Sequence, residues 1–186
     1  MDKTLSLLFS LLLVTGDAYS AEVTDAFVDD IDDHYVVRVE MRVEAELESV
    51  YAILTDFNNL HRLNRAIKKS QLLKSEAKRH LVRIEAIGCV WFFCQEVIQT
   101  QWITEQGRGY ISAVTLPEQS NLEYGRVLWH IRQQGEFTLI SYRTDIVPKF
   151  FVPPLIGTYL MKNKMLEEAQ ETIQNLERLA QFDEKY

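Results

Sequence analysis

From residue 35 onward the apolar positions follow two periods in turn. Tyr35, Val37, Val39, Met41 and Val43 lie on one side of a two-residue repeat, with Arg38, Glu40, Arg42 and Glu44 on the other. That alternation predicts a half-buried strand. Val50, Tyr51, Ile53, Leu54 and Phe57 then fall at helical spacing, which predicts a short amphipathic helix over residues 48–57. Asp56-Phe57-Asn58-Asn59 reads as a turn, because Asn and Asp side chains bend the backbone locally. A second short helix follows over residues 59–65. Six more strands are expected at 66–74, 80–89, 94–104, 109–116, 126–132 and 137–146, separated by turn-forming residues. The chain closes on a long helix from Val152-Pro153-Pro154 to about Ala180. Leu155, Tyr159, Leu166, Ala169, Ile173, Leu176 and Ala180 form its apolar stripe, and Glu167, Glu168, Glu171, Gln174, Glu177 and Arg178 its opposite face. Successive strands joined by short turns argue for an antiparallel sheet in an α+β domain, and the helix stripe needs that sheet as its partner.

The first residues read differently. Lys3, an uncharged apolar run over residues 5–14, and Ala18-Tyr19-Ser20 before Ala21 make the three-part pattern of a cleaved signal peptide over 1–20. The run falls short of the roughly 20 residues that span a bilayer. Cleavage would leave Ala21 to Tyr186, 166 residues, enough for one domain with a sizeable core. The expected organisation is a leader at 1–20, an acidic solvated segment at 21–34, one domain at 35–182 and a tail at 183–186. Five aspartates lie between Asp25 and Asp33, but they are paired and have no glycine among them, unlike a calcium loop. Export points to the periplasm, or to secretion, where disulfides persist.

Charge narrows the partners. A formal net charge of −7 argues against a nucleic-acid role. The basic residues are concentrated: Arg62, Arg65, Lys68, Lys69, Lys74, Lys78, Arg79 and Arg83 face one acid, Glu76, between His61 and Arg83. No nucleophile elbow, phosphate loop, dinucleotide fingerprint or HExxH is present. His34, His61, His80 and His130 are scattered, so no metal or cofactor is expected and no residue is assigned to catalysis. Glu85 shares the outer strand face with Arg83.

Val50-Tyr51-Ala52-Ile53-Leu54-Thr55-Asp56-Phe57 with Ala66-Ile67-Lys68-Lys69-Ser70 resembles the opening of polyketide cyclase/dehydrase and lipid-transport proteins of the START and birch-pollen-allergen-like superfamily. Gly125 with Trp129, Gly135-x-x-Thr138-x-x-x-Tyr142, Pro148 and Val152-Pro153-Pro154 are similar to that family's closing pattern. At Arg65-Ala66 the chain departs from relatives that often carry proline. The resemblance implies a helix-grip fold: a curved seven-stranded antiparallel sheet around the C-terminal helix, two short helices after the first strand, and an apolar cavity between sheet and helix.

Gly88-Cys89-Val90-Trp91-Phe92-Phe93-Cys94 is the most unusual segment. A continuous strand would place the two cysteines on opposite faces about 16 Å apart. A turn over residues 90–93 would bring them within disulfide range. The chain has two cysteines and an export pattern, so a Cys89–Cys94 bridge is expected, against the alternative of two reduced thiols packed as apolar groups. At the tip, Trp91, Phe92 and Phe93 would form an apolar patch for a membrane or partner, with the basic stretch meeting anionic headgroups. The bland alternative folds these aromatics into the core.

Alternation also nominates the inner face of the sheet. Ile84, Trp102, Tyr110, Val114, Trp129 and Tyr142, with Tyr159 from the helix, are the expected ligand contacts. On the strand at 94–104 the inward set is taken as Ile98, Thr100 and Trp102. Aromatics with a few hydroxyls suit a hydrophobic or amphipathic small molecule such as a lipid, isoprenoid or aromatic compound. The expected function is binding or transfer of such a molecule. The alternatives are an aromatase/cyclase or hydrolase with Tyr142 or Tyr110 as acid/base, and an envelope adaptor with a filled core.

Overall fold

The computed structural model describes residues 21–90, 92–153 and 158–183. Eight strands form one antiparallel sheet: β1 Glu22–Ile31, β2 His34–Val43, β3 Ile67–Glu76, β4 Arg79–Val90, β5 Phe93–Gly107, β6 Tyr110–Thr115, β7 Leu122–Gln134 and β8 Phe137–Pro148. Their spatial order is β1-β2-β8-β7-β6-β5-β4-β3. Helix α1, Leu47–Leu54, and a 3-10 turn, Leu60–Arg62, fill the crossover from β2 to β3. Helix α2, Thr158–Asp183, lies across the inner face. Its stripe is confirmed at Ile173, Leu176 and Ala180, which are fully buried. Leu155 and the side chain of Tyr159 lie outside the described residues, as does the leader at 1–20.

The eighth strand corrects the expected count of seven and replaces the solvated acidic segment at 21–34. Ala26 and Val28 are buried, and β1 pairs along β2 from Glu22↔Arg42 to Ile31↔His34. The aspartates fit this strand without contradiction. Asp32 and Asp33 take positive φ in the two-residue turn, a conformation Asp tolerates, and strand charges protect an edge from pairing with another chain.

Glu177 is a second correction. It belongs by spacing to the polar face of α2, yet it is fully buried. Its carboxylate accepts the backbone N–H of Ala21 and that of Glu44, tying α2 to the start of β1 and the end of β2. On the other flank, Asn64 donates to the Glu168 carbonyl and to Thr172, and accepts the Ala66 N–H. The Arg65 N–H donates to Glu171. Proline at position 65 would lack that donor, which gives the departure from proline at Arg65-Ala66 a physical role.

Candidate functional site

The inner face of the sheet and the first half of α2 do not close on each other. They enclose a cavity of about 530 Å³. The walls come from Val37, Val39 and Met41 of β2, Ile84 and Ala86 of β4, Val97 of β5, Val127 and Trp129 of β7 and Tyr142 of β8. Met161, Met165 and Ala169 of α2 form the roof. Apolar residues predominate, and the volume is that of a small-molecule site. This unfilled interior differs from the filled core that the adaptor alternative supposes.

The cavity runs toward the β4–β5 hairpin. Cys89 pairs with Cys94 across the ladder and the two are disulfide-bonded, with Cα atoms 4.0 Å apart. The chain therefore turns here, as the bridge requires, with Val90 opposite Phe93. The tip divides its aromatics. Phe93 lines the cavity, Phe92 is 81% exposed, and Trp91 lies outside the described residues.

Among the expected contacts, Ile84, Trp129 and Tyr142 line the cavity. The Trp129 and Tyr142 rings, opposite each other on β7 and β8, have centroids 4.4 Å apart. Burial pushes the Tyr142 phenol above its ordinary pKa, so it stays protonated at neutral pH.

Trp102, Tyr110 and Val114 belong to the other face. The Arg79 guanidinium covers Trp102 at 4.6 Å, Tyr110 stacks on His130 at 4.0 Å, and Val114 is half exposed. The inward residues of β5 are Gln95, Val97, Gln99, Gln101 and Ile103, and those of β6 are Ile111 and Ala113. A shift of one residue along a strand exchanges its two faces. On β5 both candidate faces mix apolar and polar residues, so hydrophobicity does not choose between them. Thr100 is buried on the other side because the turn Pro117–Gln119 packs there, and Gln119 accepts its hydroxyl.

Polar groups missed by alternation complete the lining. Gln99 Nε2 donates to Thr115 Oγ1 at 2.7 Å. This bond lies over Gly125, where a Cβ would come within 2.2 Å of the Thr115 hydroxyl. Gln101 is buried, and its Oε1 accepts no hydrogen bond from the described residues. From α2, Lys164 and Glu168 reach the lining and pair at 2.7 Å. Desolvation, the largest single influence, would raise the Glu168 carboxyl, but the hydrogen bonding and charge of Lys164 together with Asn64 and Arg65 outweigh it and hold the carboxyl below its ordinary range. The hydrogen bond to Glu168 raises Lys164 in turn. Their i, i+4 spacing is visible in the sequence, but which side of α2 faces a cavity is not.

A sheet of this curvature gripping a C-terminal helix over an apolar cavity decides the architecture. This is the START-like helix-grip fold. Among solved structures with this helix-grip fold, the Zhui aromatase/cyclase from Streptomyces sp. R1128 superposes with a TM-score of 0.63 at 14% identity, over 80% of this chain and 94% of that one. A START superfamily protein from Mycobacterium smegmatis gives 0.61 at 18% identity, over 79% and 97%. A STAR-related lipid transfer protein from Xanthomonas axonopodis gives 0.58 at 14% identity, over 84% and 98%. No family model and no curated protein matches the sequence. Among the described residues, no helix is long and apolar enough to cross a membrane.

Proposed function

We propose that this chain binds, and carries, a hydrophobic or amphipathic small molecule between the sheet and the C-terminal helix. The observation that carries this reading is the cavity of about 530 Å³ with its predominantly apolar walls. The fold is shared with a lipid transfer protein and an aromatase/cyclase, which suits the same kind of cargo. The leader pattern over residues 1–20 and the Cys89–Cys94 bridge support export to the periplasm, with secretion as the alternative. Phe92 and Phe151, 81% and 72% exposed, each adjoin a cavity-lining phenylalanine and supply the apolar surface for peripheral contact with a membrane. The basic stretch contributes less than its composition suggests, because Arg65, Lys74 and Arg83 are ion-paired within the protein.

An enzymatic reading has one observation on its side. Tyr142, Lys164 and Glu168 put ionisable groups on the cavity wall, and a protonated Tyr142 suits a proton donor to a substrate positioned by shape. Tyr110, on the opposite face, takes no part in it. Carriage is preferred because Lys164, the cation of the described lining, is held in ion pairs with Glu167 and Glu168.

The test is fluorescence titration with N-phenyl-1-naphthylamine, a neutral probe that brightens in apolar sites. Saturable binding of one probe per chain supports the reading; no enhancement contradicts it.

A further inference from the structure

Two lining side chains, Gln101 and Glu168, carry a buried oxygen with no hydrogen-bond partner among the described residues, and of the two Glu168 is still held through its other oxygen by Lys164. Gln101 projects from β5 on the cavity side, between Gln99 and Ile103, and is only 6% exposed. Its ladder neighbours are Val82 on β4 and Thr115 on β6, both buried. Beyond it, Ile103, Ile111 and Ala113 are almost fully buried and close the interior. Toward the β4–β5 hairpin, by contrast, Val90, Phe93 and Gln95 are only half-buried. Gln101 therefore marks the floor of the cavity.

A buried amide normally has its hydrogen bonds satisfied, and leaving one unmade costs about 1–3 kcal/mol. Gln99, two residues away on the same face, follows the rule through Thr115. Gln101 does not: Oε1 has no partner, and the amide makes no side-chain hydrogen bond within the described residues. A leucine or methionine would fill the same space at no such cost. The chain thus keeps a desolvated acceptor, with an unpaired amide donor beside it, at the floor of an apolar site, the arrangement that rewards a ligand bringing the matching group.

The chemistry of that group follows from its surroundings. An ionised headgroup is unsuited to the floor, because the described lining has one cation, Lys164, and that is held by Glu168 on α2. A pure hydrocarbon would leave the amide unsatisfied. A hydroxyl both donates and accepts, so it satisfies the amide whichever way its oxygen and nitrogen are turned.

We propose that Gln101 recognises a hydroxyl on an otherwise apolar ligand, which enters that end first and seats its hydroxyl at the cavity floor. The inference rests on the cavity being the ligand site. It names the cargo class more narrowly: an uncharged apolar alcohol or phenol.

The test uses two probes of one shape, 4-phenylphenol and 4-methylbiphenyl, competing with N-phenyl-1-naphthylamine on the wild-type protein and on Gln101→Leu and Gln101→Met. Both substitutions should weaken the phenol about tenfold relative to the hydrocarbon. The hydrocarbon should bind either variant at least as well as the wild type. A phenol-to-hydrocarbon affinity ratio unchanged in both variants overturns the assignment of Gln101 while leaving the carrier reading intact. Failure of the fluorescent probe to bind wild-type protein overturns both. Agreement between two variants of different shape separates a lost hydrogen bond from a local packing defect.

Discussion

Glu177 Oε2 lies 3.3 Å from the backbone nitrogen of Ala21, 156 residues away in sequence, while its Oε1 accepts the Glu44 N–H at 3.0 Å. One fully buried carboxylate thereby fastens the end of α2 to the two strands at the edge of the sheet. Glu177→Ala should cost about 2–4 kcal/mol in urea unfolding, since it leaves one buried and one part-buried donor without this acceptor. Glu177→Gln should cost less, because one oxygen remains. Export as proposed would end with cleavage after Ser20, which would convert the Ala21 amide into an ammonium beside this carboxylate. A chain beginning at Ala21 should then melt higher than the same chain acetylated at Ala21. Equal melting temperatures would contradict an ion pair at this position.

The Lys164–Glu168 pair gives a pH dependence. Glu168 is held below its ordinary pKa, so its contribution is fully present above the unfolded value of about 4.3 and is lost as pH falls through the lowered folded value. Lys164 is raised, so its contribution is present below about pH 10.4 and is lost above the raised value. The melting difference between wild type and Glu168→Gln should stay constant from about pH 6 to pH 9 and shrink below about pH 4. The partly exposed pair is worth at most about 1 kcal/mol. A difference that grows in acid would contradict this account.

The disulfide closes a small loop, Cys89 to Cys94. Replacing both cysteines by serine should lower stability by about 2 kcal/mol in the chain-entropy model, with the fold retained. Urea unfolding of the double variant checks this. A loss of the whole fold would show that the hairpin is organised by the bridge rather than by the β4–β5 ladder.

Much of the architecture was legible because it repeats. Seven strands and the C-terminal helix are written as sustained periods with turn residues between them, and the Cys89–Cys94 spacing fits one hairpin. β1 was not, because its aspartates outnumber its two buried residues, Ala26 and Val28, and only pairing with β2 makes it a strand. The cavity wall was legible where one strand face is plainly apolar, as at Ile84, Trp129 and Tyr142. It was misread on β5 and β6, where large side chains such as Trp102 and Tyr110 find partners outside the cavity, in Arg79 and His130. Gln101 had no sequence signal: a glutamine on a strand that mixes polar and apolar residues on both faces gains its meaning from the empty space beside it.

That space makes a further prediction. Ala86 lines the cavity from β4 and is half-buried, so Ala86→Trp should fill part of it. Affinity for N-phenyl-1-naphthylamine should fall at least about tenfold, a loss of 1.4 kcal/mol, with cooperative unfolding preserved. Unchanged affinity in a folded variant would place the probe elsewhere.

The most direct measurement is native mass spectrometry of the protein isolated from its native cells, followed by solvent extraction and identification of what dissociates. The account predicts one apolar, hydroxyl-bearing molecule per chain, released by organic solvent. A bare protein mass that stays bare after exposure to a total lipid extract would contradict carriage of a hydrophobic cargo.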